Sequence, residues 1–189
     1  MKLSLEPLTE YGAELARQWR NEALETLRTP FPLTMEQQDS FYHSLQDRNS
    51  PHRYWQVVSD YAVSPVGMTG LTNIDYINGH AEISLIISPN ERGKGIGKEA
   101  VRLVLDQAFN YMRLNTVYGE VYKCNPGLVF WEKVISPYKA YTTTLPDRKY
   151  WKGIRYDSLY FSINAVDYLA CHSGHWIDSW NDKPTGAYT

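Results

Sequence analysis

Polar and apolar residues alternate from Lys2 to Leu8, which predicts a first strand. The period then lengthens. Tyr11, Leu15 and Trp19, with Ala16 and Ala23, recur at helical spacing behind Thr9, a residue type that caps helices. Thr29-Pro-Phe-Pro-Leu33 is a stiff break. Thr34 and Gln37 have the spacing of a capping box, so a second helix is expected through Phe41, Tyr42 and Leu45. Tyr54–Val58 and Pro65–Ile74 read as a hairpin pair, and Asn78-Gly79 is a hairpin turn signal before the aliphatic strand Ala81–Ile87. Ile96, Ala100, Val104 and Ala108 then form one apolar stripe of a helix that runs towards Met112. Asn115–Tyr122 reads as the next strand, and Asn125-Pro126 opens a short helix through Lys133. Tyr138–Thr144 and Tyr156–Ile163 form an expected last hairpin, with 146–153 connecting them.

Between the strand ending at Ile87 and the helix starting near Ile96 lies Arg92-Gly-Lys-Gly-Ile-Gly-Lys98. Alternating glycines let the backbone turn sharply and point successive N–H groups into one concavity, and a helix start adds a positive pole. With Arg92, Lys94 and Lys98 beside it, the turn reads as a pyrophosphate cradle; the plainer reading is a solvated basic turn. Two common cradles fail on spacing. A P-loop needs four residues between its glycines and a Ser or Thr after the lysine, and here Glu99 follows Lys98. A dinucleotide fingerprint needs G-x-G-x-x-G, and the interval from Gly95 to Gly97 is too short.

Composition narrows the partners. At 189 residues the chain reads as one domain with room for a sizeable core, and 43% apolar content is ordinary for a globular protein. A formal net charge of −2 argues against nucleic acid and acidic membranes as partners. No apolar run reaches membrane-spanning length and the N-terminus lacks a signal peptide's hydrophobic region, so a cytoplasmic protein is expected. The two cysteines, Cys124 and Cys171, give no disulfide framework or zinc pattern, and no metal is expected; Cys171-His172…His175 is half a metal site at most.

Arg92, Gly95 and Gly97 in Arg-x-x-Gly-x-Gly, after a strand and opening a helix, resemble the coenzyme A pyrophosphate loop of the GNAT superfamily of N-acetyltransferases. The order of elements from residue 2 to 163 is similar to that fold. Trp19-Arg20-Asn21, Pro65-Val-Gly67, Ala81-Glu82-Ile83, Asn125, Phe130-Trp-Glu-Lys133 and Gly153-x-x-x-Asp157 resemble its branch of ribosomal-protein alanine, polyamine and amino-sugar acetyltransferases. The resemblance implies an α/β (α+β) fold: a mixed, mostly antiparallel twisted sheet of about seven strands with about four helices. Residues 1–163 would form the acetyltransferase domain and 164–189 a C-terminal extension without counterpart.

What the resemblance further implies is transfer of acetyl from acetyl-coenzyme A, as co-substrate, to a small-molecule or peptide amine. Leu85, Ile86 and Ile87 would meet the pantetheine arm. Arg92, Gly93, Lys94, Gly95, Ile96, Gly97 and Lys98 would hold the pyrophosphate, and Asn125 would contact the coenzyme near its sulfur. Glu82 is the candidate base, or else an exposed strand carboxylate. The tyrosine that protonates the leaving thiolate in many relatives is replaced by Trp131; Tyr122, Tyr138 or water could substitute, or no acid is needed, and Tyr122 is the candidate carried forward. Trp19, Arg20, Phe31 and Asp75 are acceptor-side candidates, although Trp19 is in phase with the helix core and Asp75 equally suits a turn cap. The aromatic cluster around Tyr138, Tyr141, Tyr150, Trp151 and Tyr156 offers an acceptor wall or a homodimer interface. The rival readings are a coenzyme-A-binding regulatory domain without turnover, and a GNAT that modifies nucleic acid.

Overall fold

The structure is a computed structural model, and it describes residues 1–28 and 30–172. Seven strands form one sheet in the order β1-β2-β3-β4-β5-β7-β6. They are β1 (Leu3–Pro7), β2 (Arg53–Ser59), β3 (Gly67–Asp75), β4 (His80–Ile87), β5 (Thr116–Tyr122), β6 (Tyr141–Trp151) and β7 (Ile154–Asn164). Neighbours run antiparallel except β4 and β5, which are parallel. Five helices flank the sheet: α1 (Glu10–Asn21), α2 (Met35–Ser44), α3 (Ile96–Asp106), α4 (Leu128–Ile135) and α5 (Ala165–His172).

Helix α1 starts where Thr9 accepts a hydrogen bond from the Gly12 amide at 3.0 Å. Its small face, Gly12, Ala13 and Ala16, lets the helix settle on the sheet, and Trp19 fills the core beside Leu8 and Met68. The capping box of α2 forms in full, with Thr34 and Gln37 exchanging hydrogen bonds. On the opposite sheet face α3 buries Val101, Val104 and Leu105 against Leu71, Ala81, Val117 and Phe161, and Ala100 beside Leu3, Val57 and Val66. Full burial of a Leu or Phe side chain stabilises the fold by roughly 1.5–3 kcal/mol, so this face dominates the core. Helix α5 begins where the extension was expected, and its Tyr168 packs on Phe109 and Tyr138. His175 of the half-site Cys171-His172…His175 lies outside the described residues. Among those described, no helix is long and apolar enough to cross a membrane.

The last hairpin corrects the sequence reading. Residues 146–153 are not a loop: β6 runs to Trp151, and β7 starts at Ile154 after a turn at Lys152-Gly153, both with positive φ. Pro146 is accommodated at a bulge between Leu145 and Lys149, where Asp147 takes φ 54° and no ladder donor is needed from the proline. The longer hairpin carries Arg148 and Lys149 back over the sheet.

Candidate active site

Strands β4 and β5 pair only from His80–Thr116 to Glu82–Tyr118. Beyond that they diverge, and the edge of β4 from Ile83 to Ile87 has no strand partner on the β5 side. Exposed backbone groups in such a gap suit an extended ligand that carries amides of its own. Leu85, Ile86 and Ile87 lie on this open edge. Below it, Gly93 and Gly95 take φ of 77° and 84°, and a Cβ built on either would meet nothing within 4 Å. Gly95 is the N-cap of α3 and offers no side chain to the first turn, so the amides there remain free for an anion. Arg92 folds back, donating from Nε to the Ile87 carbonyl at 3.3 Å, and Lys94 pairs with Glu91 at 3.1 Å. Lys98 is exposed.

Two residues of the turn have other work. Ile96 is buried against Leu3, Val57 and Val66, so only its amide faces outward. A Cβ on Gly97 would stand 3.0 Å from the Phe130 ring, so this glycine serves the packing of α3 on α4. A diphosphate at the uncapped helix start and an amide chain along β4 both fit the residues present.

The other face of the opening is built by strand alternation. Glu82 on β4, Tyr118, Glu120 and Tyr122 on β5, and Tyr160 on β7 share it, with the Tyr118 and Tyr160 rings stacked at 5.9 Å. Glu82 accepts from Asn73 Nδ2 at 3.1 Å and from Arg28. Arg28 also stands 3.9 Å from Glu120. Glu120 accepts from Arg148 Nε at 2.9 Å and from the Ser158 hydroxyl at 2.6 Å. Burial works against the charge on Glu120, yet those two bonds outweigh it and hold its carboxyl below the usual value. Burial also disfavours the charge on Arg28, and Glu82 more than offsets that. Burial, then Glu120, pushes the Tyr122 phenol up, so it keeps its proton at neutral pH. Lys149 donates to the Leu27 carbonyl and lies 5.4 Å from the ring centres of Tyr122 and Trp151. Cys124 Sγ donates to the Glu25 carbonyl at 3.5 Å. Residues 25–28 are thus stitched over this face as a roof.

The Acetyltransferase (GNAT) domain profile matches residues 2–129. The chain belongs to the GNAT family of acetyltransferases. It is 29% identical over 96 residues to the spermidine N(1)-acetyltransferase of Vibrio cholerae serotype O1 (strain ATCC 39315 / El Tor Inaba N16961), which covers 51% of this chain and 54% of that one. It is 28% identical over 128 residues to the spermidine N(1)-acetyltransferase of Escherichia coli (strain K12), covering 68% and 60%. The match thus spans little more than half the length of these relatives. A crystal structure of spermidine N-acetyltransferase from Vibrio cholerae, in complex with CoA and spermine, superposes with a TM-score of 0.77 at 22% identity, covering 88% of this chain and 98% of that one. That likeness bears out the GNAT fold expected from the sequence.

Within this GNAT fold the sequence-derived candidates scatter. Glu82 and Tyr122 share the sheet face beneath residues 25–28. Trp19 does not: it is a core residue, sealed by Ala13, Ala16 and Met68. Arg20 is half-buried on the last turn of α1, and Phe31 is exposed on the segment before α2. Asp75 caps its own turn, accepting from the amides of Ile77 and Asn78 at 2.9 Å, at the end of the sheet away from the glycine loop. Asn125 Oδ1 accepts from the Gly127 amide at 2.7 Å, which shapes the entry to α4. The Trp131 ring centre lies 5.2 Å from that of Phe161. Cys171 donates to the Pro137 carbonyl and His172 stacks on Tyr168. Sequence reasoning missed Arg28, Glu120, Arg148 and Lys149. Glu120 was findable, because it alternates in phase with Tyr118 and Tyr122. Asn21 was also missed: it clamps Leu33 with two hydrogen bonds of 2.8 and 2.9 Å and so anchors the far end of the roof segment.

Proposed function

We propose that the chain is an N-acetyltransferase that moves acetyl from acetyl-coenzyme A to a primary amine. The observation that carries this reading is the opening between β4 and β5, which leads into the uncapped, glycine-turned start of α3. The open β4 edge at Leu85–Ile87 orients the pantetheine arm, and the amides of Gly93 to Lys98 hold the diphosphate. The thioester is already activated, so proximity supplies most of the acceleration. The amine nitrogen attacks the thioester carbonyl, a C–N bond forms, the C–S bond breaks, and the sulfur leaves as a thiolate. Glu82 takes the amine's proton, directly or through water, and Tyr122 gives its phenolic proton to the thiolate and regains one from solvent. The relatives' names point to an amine acceptor of small size.

Binding without turnover is the second reading, favoured by the guanidinium of Arg28 on Glu82 and by Trp131 at the family's tyrosine position. Calorimetry with coenzyme A and a thiol-release assay over an amine panel separate the two. Coenzyme binding that weakens at least tenfold in Gly95→Val, together with amine-dependent thiol release, supports the enzyme. Unchanged binding in Gly95→Val removes the loop from the site, and tight binding with no thiol release for any amine leaves the regulatory reading.

A further inference from the structure

The acceptor face presents cations to solvent and keeps its carboxylates covered. The Glu82 and Glu120 side chains are each 11% exposed, whereas those of Arg28 and Arg148 are 57% and 51% exposed. An incoming molecule therefore meets guanidinium N–H groups and tyrosine rings first. Lys149 adds an independent observation. It is 5% exposed, and among the described residues it has no carboxylate within ion-pair distance; its ammonium has only the Leu27 carbonyl and two aromatic faces. Glu25 lies in the same neighbourhood, on the roof, without forming an ion pair with it. Buried charges are ordinarily paired, and this ammonium has no counter-ion among the described residues. Glu82 and Glu120 face Arg28, Arg148 and Lys149, with Glu25 on the roof beyond them.

We propose that the acceptor is an amine that also carries an anionic group, a carboxylate, phosphate or sulfonate, and that it binds by exchanging ion pairs. The anion draws Arg28 off Glu82 and completes the charge beside Lys149. The acceptor's ammonium takes the vacated Glu82, which is then placed to remove its proton. Every charge that loses a partner gains one, which avoids leaving a covered carboxylate uncompensated. Arg28 can make this move because it sits on the irregular segment between α1 and α2, whereas Glu82 is fixed within β4 and by Asn73. A polycation offers nothing to Arg28 or Lys149 and adds positive charge to a face whose exposed charged side chains are guanidinium groups. The spermidine enzymes share this fold, but the charge on this face selects a different acceptor. This inference rests on the acetyltransferase reading and names its substrate class.

The test is kcat/KM by thiol release with acetyl-coenzyme A for short primary amines that differ in their far end. The panel is β-alanine, taurine and 2-aminoethyl phosphate as anions, 3-aminopropanol as the neutral compound, and putrescine and spermidine as polycations. The expected order is anionic, neutral, polycationic, with the anionic amines about tenfold or more above the neutral one, the scale of one charge-assisted hydrogen bond. Arg28→Ala should erase most of that preference, and Arg28→Lys should keep much of it. Arg148→Ala, at an exposed site, gives a second loss of preference should Arg28→Ala fail to fold. A wild-type preference for spermidine over the anionic amines overturns the inference and leaves the acetyltransferase reading intact, as does an Arg28→Ala variant that lowers every amine by the same factor. Turnover of no amine overturns both.

Discussion

Glu82 holds Asn73 and Arg28 at once, and that double engagement separates its chemistry from its stability. Glu82→Gln keeps the Asn73 contact possible and removes the proposed base. The expected outcome is a loss of about 10²- to 10⁴-fold in kcat with coenzyme A affinity unchanged by calorimetry. Equal losses in both would show that the residue acts on folding rather than on the amine. Glu82 and the glycine turn were legible in the sequence because each belongs to a local pattern: a carboxylate on an aliphatic strand, glycines between a strand and a helix. Arg28 and Lys149 were not. Arg28 reaches Glu82 across 54 residues, and Lys149 reaches Leu27 across 122. Nothing near either residue in the chain announces a partner so distant.

At the scale of elements, periodicity predicted most helices and strands because burial follows the same period. The hairpin of β6 and β7 was expected, but its outer part escaped because Pro146 and Gly153 read as loop punctuation, whereas the bulge absorbs one and a two-residue turn uses the other. The packing of α2 on the sheet was equally hidden. Tyr54 lies over Gly70 and meets Phe41 of α2 edge-on at 5.3 Å. A Cβ on Gly70 would come within 2.6 Å of the Arg53 carbonyl oxygen and 2.5 Å of the Tyr54 ring. Backbone cannot yield there as a side chain could. Gly70→Ala should therefore destabilise the fold by about 1–3 kcal/mol, read as a lower urea midpoint with little change in slope. A midpoint equal to that of the wild type would mean that Tyr54 is free to move aside.

For the whole molecule, element order was readable but strand order was only partly so. Which strand of the last hairpin joins β5 is decided by burial: Phe161 and Ile163 on β7 are sealed in the core, while Tyr141, Thr142 and Thr144 on β6 face outward at the sheet edge. The three paired positions between β4 and β5 have a further consequence. They make the sheet two ladders joined by a few rungs, β1 to β4 on one side and β5 to β7 on the other, with α3 and the core beneath them as the remaining bond. Amide protons on the open edge of β4 are shielded by no neighbouring strand, so they should trade with deuterium within the fastest class of the sheet, while those shared with β3 exchange slowly. A bound coenzyme would act as the absent rung-maker. Peptides spanning 83–98 should then lose most of that fast exchange when coenzyme A is added, and peptides from β1 and β2 should hardly change. Equal slowing everywhere would mean that the two ladders already move as one body without it.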